Sequence, residues 1–218
     1  MNMKNSVIAL GLMTTLSACL GGGNDGGGIV SGDGSVNQVS AFALAERAAM
    51  SSEIEDLEEL PSTATMNGFL LVDLESTENG VIMGNMEVTA DFEEGGVTGT
   101  ATNITEYKLL GNCESAEDCD GEFIQQMPGQ LLLAGVIDGA AFDGDLVGEV
   151  TGMAEQEEGP DLPFDADISL EVDGMFTQEG DDLMALADLG GEATLAIDTG
   201  EGIVEETELL SGFFITVE

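Results

Sequence analysis

The chain has 218 residues, 44 of them Asp or Glu against 3 Lys or Arg and no His, for a formal charge of −41. Such a surface repels nucleic acid and anionic headgroups, and the missing imidazoles exclude Ser-His-Asp catalysis, histidine metal sites and histidine haem ligation. With 43% hydrophobic residues and the acids dispersed among Leu, Val, Ile, Met and Phe, the chain is too apolar for a disordered acidic tail, and a folded acidic domain is expected.

The N-terminus carries Lys4, then an apolar run over residues 7–16 that ends in Leu16-Ser17-Ala18-Cys19. A cation, a run of that length and small residues before a cut describe a secretory signal, too short to span a bilayer permanently. Leu-Ser-Ala-Cys resembles the bacterial lipobox, which implies cleavage before Cys19, diacylation of its thiol and acylation (palmitate or a similar chain) of the new amine. Each buried methylene contributes about 0.8 kcal/mol, so several chains hold a protein where one holds it only marginally. Leu20 after the lipid cysteine, in place of an aspartate, points to the outer membrane by analogy with lipoprotein sorting. Loss of residues 1–18 leaves Arg47 and Lys108 as the basic side chains against all 44 acids. Charges interact over about 8 Å at physiological ionic strength, so salt relieves much of this repulsion, as suits a marine or salt-loving source. A cationic protein or solute partner, or divalent ions, is the alternative use of the charge.

Residues 19–39 are rich in glycine (Gly21, Gly22, Gly23, Gly26, Gly27, Gly28, Gly32, Gly34) and read as a tether between lipid and domain. Residues 40–60 follow a helical period through Phe42, Ala45, Ala49, Met50, Ile54 and Leu57, with Ser40 as N-cap and Pro61 as stop; this helix is expected to pack on the following domain. From Thr63 onward the period becomes two. Met86, Val88, Ala90 and Phe92 share one face and Glu87, Thr89 and Asp91 the other, and residues 164–172 and 192–198 repeat the pattern. Further strands are expected over residues 66–74, 97–104, 130–137, 141–150 and 209–217. Asn79-Gly80, Gly95-Gly96, Asp138-Gly139, Asp173-Gly174, Gly190-Gly191 and Thr199-Gly200 read as the turns that separate them. About eight antiparallel strands without helical crossovers predict an all-β fold over residues 61–218, a sandwich or a closed barrel. Gly84, Gly135, Gly144 and Gly148 inside strands suit the bends of a small barrel. Such a barrel is expected to be filled by its own Met, Leu, Val and Phe side chains.

Leu60-Pro61-Ser62-Thr63-Ala64-Thr65-Met66-Asn67-Gly68 and the stretch from Gly84-Asn85-Met86 to Val97-Thr98-Gly99 resemble the opening of the transferrin-binding protein B type β-barrel, in the short single-barrel form found in Gram-negative bacteria. Gly139-Ala140-Ala141-Phe142-Asp143-Gly144, Asp173-Gly174-Met175-Phe176 and Ser211-Gly212-Phe213-Phe214 are similar to its recurrent Gly-Phe turns. The resemblance spans residues 60–218 and implies a single antiparallel barrel of about eight strands, preceded here by one helix, in a binding lipoprotein of the envelope. This chain has one barrel where the transferrin receptors have two lobes, and similar small barrels bind different ligands, so the resemblance does not select one.

Catalytic residues are not expected, nor a cofactor or a resident metal, and the chain reads as a monomeric, non-enzymatic binding module. A structural acidic envelope lipoprotein without a specific ligand and a Ca²⁺-dependent adhesin remain the alternatives. Tyr107, the single tyrosine, reads as packing or edge decoration, and the sequon at Asn103 carries no weight in a bacterial lipoprotein. Cys113 and Cys119 in an exported chain predict a short disulfide loop. It would gather Glu114, Glu117, Asp118 and nearby Asp120, weak Ca²⁺ candidates whose spacing is not that of an EF-hand. Two consequences are measurable: thiol titration of the exported protein should find no free cysteine, and Cys113→Ser should lower stability by about 2 kcal/mol.

Overall fold

The structure, a computed structural model, describes residues 38–54, 60–74, 80–110, 120–154 and 160–218. The signal, the tether and the 111–119 loop lie outside them. One helix, α1 (Gln38–Met50), precedes the strands β1 (Ser52–Glu53), β2 (Thr63–Leu74), β3 (Gly80–Asp91), β4 (Gly96–Leu110), β5 (Asp120–Gln126), β6 (Gly129–Asp138), β7 (Ala141–Ala154), β8 (Leu162–Glu179), β9 (Asp182–Asp198) and β10 (Ile203–Val217). Neighbours pair antiparallel in the order β8-β7-β6-β4-β3-β2-β10-β9, and β9 returns to β8, closing an eight-stranded barrel. β5 extends the edge of β4 beyond β6, and β1 adds two residues to the end of β8. The expected fold class is thus the observed one.

The period of two decides what fills the interior. On β8 buried and exposed residues alternate along nearly the whole strand, with Phe164, Ala166, Ile168, Leu170, Val172 and Phe176 inside. Met66, Leu70, Met86, Val88, Ala90, Leu131, Leu146 and Leu210 meet them from the other strands. Phe142, Phe176 and Phe214 are all but inaccessible; Phe142 lies tilted against Phe176 at 4.9 Å and stacked with Phe214 at 6.1 Å, and Phe92 sets its ring edge-on to Phe176 at 5.0 Å. Packing of this kind turns alternating apolar residues into a solid plug.

Two of the expected turns lie inside strands. Asp173-Gly174 is in the middle of β8 and Gly190-Gly191 in the middle of β9. Gly174 and Gly191 point inward at places where the curled sheet leaves no room for a side chain. A Cβ on Gly174 would sit 2.1 Å from Phe142 Cζ, and one on Gly191 would sit 2.1 Å from the Ser169 carbonyl oxygen. These glycines mark close approach rather than chain reversal. The reversals at Gly95, Gly139 and Gly200 do occur, each glycine with a positive φ near 70°.

The helix is shorter than the periodicity predicts. It begins at Gln38, which places Ser40 inside its first turn rather than at its cap, and it ends at Met50, where Ser51 donates both its N–H and its hydroxyl to the Ala48 carbonyl. Ser52 and Glu53 then pair with Gln178 and Thr177, so the overhanging end of β8 takes the chain from the helix. The buried stripe is also rotated from the expected one. Ala41, Leu44, Ala45 and Ala48 pack on Phe69, Val81, Met83, Tyr107, Met184 and Ile215, while Met50 stands 67% exposed. Alanines allow the close approach to the outer barrel wall that larger side chains would prevent. Arg47 fixes the end of the helix to the β8–β9 hairpin, 2.6 Å from Glu179 and 2.5 Å from Asp182.

A paired substitution tests the inward role of Gly174. Gly174→Ala is expected to lower stability by about 1–3 kcal/mol, because the stacked Phe142 ring has nowhere to move. Gly190→Ala, on the same sheet but with open space around its Cβ position, should stay within about 0.5 kcal/mol. Urea unfolding of the two variants checks this.

Candidate functional site

An up-and-down order puts alternate connections at the same end. Tight turns join β3 to β4, β6 to β7 and β8 to β9 at the closed end, where Asp91 caps the first by accepting from the N–H groups of Glu93 and Glu94. At the other end β2 stops at Leu74, β4 at Leu110 and β7 at Ala154, with β3, β5 and β8 resuming only after residues 75–79, 111–119 and 155–159. The barrel opens there. A cavity of about 350 Å³ is lined by Leu74, Ile82, Ile124, Met127, Phe164, Ala166, Ile168, Ala193, Leu195 and Leu210, together with Glu106, Lys108, Gln125, Glu206 and Glu208. The expectation of a barrel filled throughout is corrected here. Among its inward lining, Ala166 and Ala193 are small and Glu106, Glu206 and Glu208 are charged, beside larger apolar side chains such as Phe164, Ile168 and Leu210.

A bulge puts Glu106 and Lys108 in this cavity. On β4, Val97 and Ala101 face the core, and odd positions would continue inward if the strand were regular. Asn103 instead takes φ 52°, and the β3–β4 pairing slips between Met83 and Asn85. One extra residue flips every side chain beyond it. Ile104 and Glu106 then turn in, the latter opposite Ile82, and Tyr107 turns out to join the packing under α1. Tyr107 is buried with its ring edge-on to Phe123 at 6.0 Å, so the packing role expected for it is the one it has. Asparagine tolerates a left-handed backbone better than most residues, and that gives Asn103 a structural reason independent of its sequon.

Across the mouth, Glu206 pairs with Leu195 and Glu208 with Ala193, both on the inward face of β9. Gln125 bridges the split where β5 parts from β7. Its Nε2 donates to the Glu106 carboxylate at 2.7 Å and to the Met153 carbonyl at 3.0 Å, while its Oε1 accepts from the Met153 N–H at 2.8 Å. The amide thus replaces a rung of the backbone ladder and holds Glu106 in place.

Of the residues singled out in the sequence, Cys19, Cys113, Cys119, Glu114, Glu117 and Asp118 lie outside the described residues. Asp120 opens β5 opposite Leu110, so the strands flanking the cysteine loop both end at the mouth. Among the described residues no group of three or more His, Cys, Asp or Glu side chains is arranged to hold a metal ion. The mouth residues Glu106, Lys108, Gln125, Glu206 and Glu208 were not legible as a site. Apolar alternation fails at Glu206 and Glu208, which is a signal, but Glu106 needs the bulge to be recognised.

The outer wall is acidic in register. Asp143 pairs with Asp173 and Asp173 with Asp188, while Asp145 pairs with Glu171, all facing out from β7, β8 and β9. A wall of carboxylates cannot meet lipid the way the apolar belt of a membrane barrel does. Burial, and then the neighbouring Asp173, raise the Asp188 carboxyl above the usual range. Burial alone raises that of Asp73. No protein-family model, curated protein or solved structure matches the chain significantly.

A carboxyl whose folded-state pKa lies above its unfolded value costs stability while ionised. That cost falls away as pH drops through the raised value and is gone below the unfolded one. Asp188→Asn is therefore expected to raise the melting temperature at pH 7 and low salt, and the advantage should shrink toward pH 3 and in high salt, which screens Asp173. A lower melting temperature at pH 7 would contradict the assignment.

Proposed function

We propose that this chain is a lipid-anchored envelope lipoprotein of the outer membrane whose barrel is a non-catalytic binding module, with its open end as the recognition surface for a protein or solute ligand. The observation that carries the reading is the difference between the two ends. One is sealed by an aromatic plug; the other, where β9 also turns tightly into β10, opens into a cavity that mixes apolar and charged groups. Binding residues concentrate on loops held by a rigid scaffold, and barrel mouths are among the preferred ligand sites. The resemblance to the transferrin-binding protein B type barrel supports a binding role without naming the ligand. Attachment through acylated Cys19 fits a barrel whose acidic outer wall has no affinity for lipid. Net negative charge over the whole surface favours a cationic partner and fast association at low salt.

Fatty-acid labelling of cells producing the full chain tests the anchor. Wild-type protein should carry label and partition into detergent, and Cys19→Ala should do neither. An unmodified mature N-terminus on the wild-type chain would overturn the lipoprotein reading.

A further inference from the structure

Through the body of the barrel the inward positions hold apolar residues or glycine, with Thr216 the buried exception. At the mouth that rule breaks on two strands at once. Glu206 and Glu208 occupy consecutive inward positions of β10 directly above Leu210, and Glu106 is turned inward on β4 by the Asn103 bulge. Glu206 is exposed and Glu106 and Glu208 half-buried, so the three carboxylates stand at a wet rim, and bulges recur where a side chain is re-aimed for function. The rest of the lining is apolar, with Phe164, Ile168 and Leu210 around the small Ala166 and Ala193.

We propose that the mouth cavity binds a small amphiphilic cation, its hydrocarbon part on that apolar lining and its ammonium or guanidinium group among Glu106, Glu206 and Glu208. This rests on the mouth being the recognition end. Three carboxylates outnumber the single ammonium of Lys108, and the field of a chain with charge −41 draws cations in and keeps anions out. A neutral apolar ligand would gain nothing from the three carboxylates, whereas an ammonium or guanidinium group can form charge-assisted hydrogen bonds with them. A volume of about 350 Å³ is near the low end for ligand pockets, which sets the ligand's size at that of a small molecule or one long cationic side chain.

The test is calorimetric titration of the full chain with n-hexylammonium, compared with n-hexanol and n-hexanesulfonate. Saturable one-to-one binding of the ammonium is expected, with the alcohol weaker by about tenfold or more and the sulfonate not binding. Glu206→Gln with Glu208→Gln should weaken the ammonium by about tenfold while leaving the alcohol unchanged. Ala193→Met should abolish binding by filling the cavity, and Ile168→Trp, checked by circular dichroism for folding, gives a second variant of the same kind. Asp143→Asn with Asp145→Asn, on the outer wall, should leave binding unchanged. Failure of hexylammonium to bind, equal binding of the alcohol, survival of binding in the filled cavity, or equal weakening by the outer-wall pair would each overturn the inference. Acylation of Cys19 is measured separately, so the lipoprotein reading stands or falls independently of these outcomes.

Discussion

The narrow interior of an eight-stranded barrel is the constraint on which the rest of this structure depends. It holds little more than one layer of side chains from each wall, so every inward position must be sized to what faces it. Phe142 fits only because Gly174 opposite it is bare, and β9 passes Ser169 only because residue 191 is glycine. Large and absent side chains therefore alternate around the barrel as a matched set, and the plug of Phe142, Phe176 and Phe214 closes one end. Toward the other end, around the small Ala166 and Ala193, the interior opens into a cavity.

The same alternation sorts the charge. Because each strand shows one face to the plug, its acids go to the outer wall, and closure lines them up across β7, β8 and β9, as in Asp143, Asp173 and Asp188. Like charges directly opposite one another work against the sheet, and salt weakens that repulsion. The barrel thus tolerates its charge in proportion to ionic strength. On one side of the wall α1 covers the outward apolar residues Phe69, Val81, Met83, Met184 and Ile215, forming a second core outside the barrel.

Much of this could be read from the chain, and the parts that could not share a cause. Met86-Glu87-Val88-Thr89-Ala90-Asp91 and Phe164-Asp165-Ala166-Asp167-Ile168 announce their faces because each alternation is local. Asp173-Gly174 and Gly190-Gly191 mislead because the composition of a turn is also the composition of a close approach, and only the strand lying opposite distinguishes them. β5 gives almost no pattern; it is held by pairing with β4 and by the Gln125 amide. The helix stops early since β8 extends far enough to capture Ser52 and Glu53, a tertiary event that the apolar spacing of residues 40–60 cannot encode. The mouth was hidden for the same reason, as one bulge at Asn103 reverses the meaning of every later position on β4.

That reversal is the central claim, since it decides whether Glu106 and Lys108 or Tyr107 and Leu109 look into the barrel. Nuclear Overhauser contacts measured on the isotope-labelled full chain test it most directly. The account predicts contacts from the Glu106 side chain to the Ile82 methyls, and from the Tyr107 ring to Phe123 and not to Ile168. Contacts from the Tyr107 ring to Ile168 and Leu210, with Glu106 in the solvent outside, would contradict it.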